Sequence, residues 1–182
     1  MNDPSPRIGA HVLVASDRAA SGERPDGVAD SLLAALQDLG YALPEPGVTI
    51  SPDDLSTLTG HLRRLVADPA VRFLVTTGGT GAALRDVTPD ASRAVFTREL
   101  PGFGELMRAE SLKKTVYAAG SRATAGTVGD VLIVNLPGSP KGALECLGFI
   151  AKPARHVLDL IAGAVRDCGP VRAAEDLGGP VR

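Results

Sequence analysis

The residues best suited to chemistry sit where apolar runs stop. Gly78-Gly79-Thr80-Gly81 directly follows residues 72–77, a stretch of strand composition. Three glycines in four residues let a backbone approach a ligand with no Cβ in the way. Their amides can form an anion-binding concavity, and the Thr80 hydroxyl adds a donor. The alternative is a tight structural turn. Asp86 follows, just ahead of Thr88-Pro89-Asp90. A carboxylate there can hold Mg2+ directly or through water and neutralise charge in phosphoryl or nucleotidyl transfer. Otherwise it is a turn residue bonding its own backbone. Asp90 falls in the first turn of a helix, where the dipole alone stabilises a carboxylate by about 0.3–1 kcal/mol. Asp53, in Ser51-Pro52-Asp53-Asp54, is either an acid of the capping region or a carboxylate directed into a cleft. Asn135 and Ser139 flank Pro137-Gly138 at the end of a second strongly apolar run. Ser16-Asp17-Arg18 holds the matching place after the first. There Arg18 is either a phosphate partner or a solvated charge. His11, His61 and His156 have no metal or triad spacing. Neither GxxxxGK[ST] nor a GxGxxG opening the first helix is present.

Alternating strands and helices must position these groups. Strands are expected at 8–15, 48–50, 72–77 and 131–136, with a short one at 116–119. The intervening segments carry helical spacing. One helix is expected from 28 to 39, stopped by Gly40. A second opens at Ser51-Pro52-Asp53-Asp54, with Ser51 as cap and Pro52 in the first position. A third starts at Thr88. Pro101-Gly102-Phe103-Gly104 reads as a break before a helix through about 114. A last helix reaches about 165, with Pro153 as a possible kink. This order gives an α/β fold, a mostly parallel sheet covered on both faces, whose carboxyl edge carries the ligand-binding turns. Residues 1–168 are expected to form a single domain and 169–182 a loose tail.

Composition narrows the classes. The chain has 182 residues, 44% hydrophobic and 22% charged, with a net charge of −2. A dedicated nucleic-acid binder is normally basic, so no nucleic-acid partner is expected. No apolar run approaches the roughly 18 residues that span a bilayer, and no membrane partner is expected either. Cys146 and Cys168 offer neither a disulfide framework nor a zinc site and suit a reducing cytoplasm.

Together the motifs resemble the MogA/MoaB family of molybdenum-cofactor biosynthesis proteins, related to the G domain of gephyrin. The matching stretches are Ser16-Asp17-Arg18-Ala19, Thr76-Thr77-Gly78-Gly79-Thr80-Gly81, Asp86-Val87-Thr88-Pro89-Asp90, Pro101-Gly102-Phe103-Gly104-Glu105, Ser121-Arg122 and Asn135-Leu136-Pro137-Gly138-Ser139-Pro140-Lys141. The Pro-Gly-Phe-Gly-Glu stretch is more similar to the MogA branch. The resemblance implies a three-layer molybdopterin-binding fold, usually trimeric. It implies a cytoplasmic adenylyltransferase that uses ATP and Mg2+ to adenylylate the terminal phosphate of molybdopterin, releases pyrophosphate and serves a molybdenum insertase. Asp53 and Asp86 would be the catalytic and metal-holding carboxylates. Ser16, Asp17, Gly78, Gly79, Thr80, Gly81, Asp90, Ser121, Arg122, Asn135, Pro137, Gly138 and Ser139 would bind the substrates. The alternatives are a relative of the MoaB type that binds pterin without adenylylating it, or an interaction module. The sequence departs from the family at Ala82-Ala83-Leu84 and in the Gly/Thr-rich segment 123–129.

Overall fold

The longest apolar runs become the centre of one six-stranded sheet. The computed structural model describes residues 8–23 and 27–163, so the expected tail and Cys168 lie outside the described residues. The strands are β1 (Ala10–Ala15), β2 (Val48–Ser51), β3 (Phe73–Thr77), β4 (Arg98–Glu99), β5 (Ala125–Val128) and β6 (Val131–Leu136), in the order β2-β1-β3-β6-β5-β4. The first four in that order are parallel; β5 runs antiparallel to β6, and β4 antiparallel to β5. Every residue of β1, β3 and β6 is buried, as strands covered on both faces require.

Alternation along each strand feeds two cores. Val12, Val14, Phe73, Val75, Leu132 and Val134 pack against α2 (Gly27–Asp38), α5 (Pro101–Leu112) and α6 (Pro140–Ile161). Leu13, Leu74 and Ile133 face α3 (Leu55–Val66) and α4 (Thr88–Arg93). The result is three layers. The chain leaves β1 for β2 on one side and returns to β3 on the other. The strand order therefore reverses between β1 and β3, and the crevice beyond the carboxyl ends at such a point is where open α/β sheets bind ligands. Among the described residues no helix is long and apolar enough to cross a membrane.

Several local expectations are corrected. Ser51 does not cap a helix. It ends β2 in register with Ala15, and Asp54 is the cap of α3, accepting from the Thr57 amide and hydroxyl at 2.8 and 2.7 Å. Pro101 starts α5 rather than breaking the chain, since proline suits a first helical position. Val116–Gly120 is a 3-10 turn, not a strand, because the Ala118 and Ser121 amides bond back three residues. The final helix ends at Ile161 and continues through Pro153. Segment 123–129 contains β5, joined to β6 across a Gly129-Asp130 turn with Gly129 at φ 53°.

Candidate active site

Three strand ends, those of β1, β3 and β6, meet at one rim. After β3 the chain takes up positive φ at Gly78 (91°) and Gly79 (58°). A Cβ on Gly78 would lie 2.2 Å from the Ala15 carbonyl oxygen, and one on Gly138 would lie 3.1 Å from the Gly78 Cα. The turns therefore touch backbone to backbone. The Thr77 hydroxyl ties them by donating to the Pro137 carbonyl at 2.8 Å. The amides of Gly79, Thr80 and Gly81 donate to no acceptor among the described residues.

The glycine turn separates two clefts. The first, about 340 Å³, is walled by Ser16, Asp17, Arg18, Asp53, Gly78 and Gly138. The second, about 410 Å³, is bordered by Thr80, Gly81, Ser121, Pro137 and Ser139, with Arg108, Lys114, Tyr117 and Cys146 on its far side. Burial pushes the Cys146 thiol up, with the Ser111 hydroxyl pulling the other way, so it stands as a neutral thiol.

The first cleft holds two carboxylates. Asp17 and Asp53 bind each other's backbone: the Asp53 amide donates to Asp17 Oδ1 at 3.1 Å, and the Asp17 amide donates to Asp53 Oδ2 at 3.3 Å. Asp53 Oδ1 is enclosed and accepts nothing among the described residues; the Thr88 hydroxyl is likewise unpartnered. Both lie against Gly79, where a Cβ would come within 3.1 Å of the carboxylate oxygen and 2.5 Å of the hydroxyl. Burial raises the Asp53 pKa, the charges of Asp17 and Asp86 add to the rise, and the Asp17 amide and Arg85 oppose it. Asp86 closes the group from the other side of the turn, its Oδ2 accepting from the Ala83 amide at 2.8 Å and lying 2.8 Å from a Cβ built on Gly81. Because Asp54 is engaged as the helix cap, Asp53 is the acid that faces the cleft.

Not every candidate side chain is free for a ligand. Arg122 clamps the loop. It donates to the Gly81 carbonyl at 2.8 Å, to both Asp90 oxygens at 3.0 Å and to the Asp86 carbonyl, while its amide donates to the Thr80 carbonyl at 2.9 Å. Asp90 is thereby committed to Arg122. Arg122→Lys keeps the charge but loses the fork. It is expected to cost about 1–2 kcal/mol in a urea-denaturation series. Asn135 is fully buried beneath α4, donating to Thr76 and Ser92 hydroxyls at 2.9 and 2.8 Å, and it lines neither cleft. Ser16 and Ser139 cap α1 (Asp17–Ala20) and α6 while bordering the clefts. Sequence reasoning missed Arg85, which pairs with Asp17 Oδ2 at 2.5 Å. It also missed Arg108 and Lys114, which lie on α5 and just beyond its end and are presented to the second cleft only by the fold.

An oxygen-only donor set of carboxylates and a hydroxyl suits a magnesium ion. Among the described residues no three acidic, His or Cys side chains converge into a finished cage. That matches magnesium's habit of binding through one or two carboxylates and completing its shell with water and substrate phosphates.

Comparison with known proteins gives the family. Residues 11–156 match the family model described as "Probable molybdopterin binding domain". A molybdopterin adenylyltransferase of Helicobacter pylori J99 is 40% identical over 152 residues, covering 84% of this chain and 86% of that protein. The molybdopterin biosynthesis enzyme MoaB of Thermus thermophilus superimposes with a TM-score of 0.79 at 38% identity, over 86% of this chain and 97% of that one. The Mog protein of Mycobacterium ulcerans gives 0.77 at 33% identity, over 85% and 99%. With the matched model spanning most of the chain and the same three-layer sheet in both solved relatives, the chain belongs to the molybdopterin-binding domain family of molybdenum-cofactor biosynthesis.

Proposed function

We propose that the protein is a molybdopterin adenylyltransferase, joining the AMP portion of ATP to the terminal phosphate of molybdopterin and releasing pyrophosphate. The observation that carries this reading is the enclosed, unpaired Asp53 oxygen set beside free glycine-turn amides, between two clefts. Transfer between two polyanions needs donors that do not reorganise as charge develops, and a rim of fixed amides provides them. The Gly79, Thr80 and Gly81 amides bind phosphate oxygens and hold the reacting groups in line. Asp53 and Asp86, with Asp17 beside them, would hold Mg2+, which when bound neutralises phosphate charge. Arg18 stands at the first cleft to receive a further phosphate, and Arg108, held on the Ser121 and Ala123 carbonyls, lends positive charge to the second, where Lys114 is already paired with Glu145. No side-chain nucleophile is required, consistent with a neutral, buried Cys146. Assembly as a homotrimer and hand-over of product to an insertase belong to the same reading.

The test is incubation with molybdopterin, ATP and Mg2+. Adenylylated pterin and pyrophosphate should appear in equal amounts, and Asp86→Asn should lose turnover far more than pterin affinity. Tight pterin binding without pyrophosphate would replace transfer by simple carriage.

A further inference from the structure

The acidic cluster carries its own cation. Asp17, Asp53 and Asp86 sit close enough for the charges of the first and third to act on the second. Like charges so placed repel one another. Among the described residues a single ion pair reaches any of the three, Arg85 Nη2 to Asp17 Oδ2 at 2.5 Å. Arg85 differs from Arg122 in how it is held. The Arg122 guanidinium is fixed on several acceptors, whereas that of Arg85 has only the Asp17 contact and is 69% exposed. Its loop is anchored at Asp86, whose carbonyl Arg122 grips and whose carboxylate receives the Ala83 amide, while neighbouring Leu84 is wholly exposed. The backbone is pinned and the side chain is tethered at one point.

We propose that Arg85 is a resident counter-ion that holds the acidic cluster until a divalent cation enters the first cleft, then gives up Asp17 and turns its guanidinium toward the phosphates there. The proposal rests on the adenylyl-transfer reading for its metal. Displacement follows from charge: a dication among these carboxylates removes the attraction holding Arg85, and a guanidinium released beside polyphosphate meets a partner it can bind through two hydrogen bonds. Arg85 and the metal therefore compete in the absence of nucleotide.

Mn2+ binding to nucleotide-free protein, followed by electron paramagnetic resonance, tests this. Arg85→Ala should bind Mn2+ about two- to fivefold more tightly than the parent, the scale of an exposed ion pair. Arg85→Lys should stay near the parent. Arg18→Ala removes a like charge from the wall of the first cleft, and Arg18 has no ion pair among the described residues; it should tighten binding less. In an Asp17→Asn background the effect of Arg85→Ala should disappear. If the parent binds Mn2+ and Arg85→Ala binds it no tighter, or no tighter than Arg18→Ala does, the counter-ion role is overturned and the transfer reading stands. If the parent binds no Mn2+, the proposal and the metal component of that reading fail together, and the pterin product assay then decides the reading on its own.

Discussion

Asp53→Asn is expected to lower turnover about 10²–10³-fold, the scale seen when one fixed electrostatic group is removed from a reaction centre, without weakening the fold. Burial is the main reason the Asp53 carboxyl is held above its ordinary range, and the negative charges of Asp17 and Asp86 reinforce it. The folded protein thus keeps that proton more tightly than the unfolded chain, and ionising Asp53 costs folding free energy. The cost is absent below the ordinary carboxylate range, grows as pH rises through it and levels off above the raised folded value. Asn carries no charge to bury. Thermal melts should therefore show the variant as stable as the parent or more so at neutral pH, with any advantage gone at about pH 3. A variant that loses both activity and stability at pH 7 would mean that Asp53 supports the fold rather than the reaction.

Gly78→Ala should be the most damaging replacement among the glycines of the rim. The added methyl meets the Ala15 carbonyl at 2.2 Å, and Gly78 has φ 91°, where side chains are strained. Ala15 cannot yield easily, since it ends β1 in register with Ser51 of β2. Relief requires β1 and β3 to part at their carboxyl ends, which would carry Asp17 away from the glycine turn. The expected cost is about 3 kcal/mol or more, a fall of roughly 6–12 °C in Tm for a chain of this size, together with loss of turnover. Gly60→Ala in α3 and Gly148→Ala in α6 are the controls. Neither methyl would meet anything within 4 Å, and helix propensity predicts a gain of up to about 1 kcal/mol. Comparable losses in all three variants would refute the close-contact argument.

The sequence reveals the central layer because apolar runs such as 131–136 have few other ways to fold. The edge of the sheet was hidden. In β5, Ala125-Gly126-Thr127-Val128 has small residues where strands usually carry bulk, since Gly126 leaves room for the Phe96 ring and the Arg98 carbonyl. The Gly129-Asp130 pair was the available hairpin signal. Composition alone also could not separate Asp53 from Asp54, because capping is decided by which carboxylate reaches the Thr57 amide. The pairing of Arg122 with Asp90 was equally illegible. Both residues stand in recognisable motifs, but their 32-residue separation is closed only by the path of the chain.

Thr77 reaches Pro137 across 60 residues, and Asp17 meets Asp53 across 36. No contiguous stretch of polypeptide contains both walls of the rim. A nascent chain halted before β6 would display the glycine turn without the Pro137-Gly138 backbone against it, so competence arrives only with that long-range closure, and recovered activity after denaturation reports that the whole topology has been rebuilt.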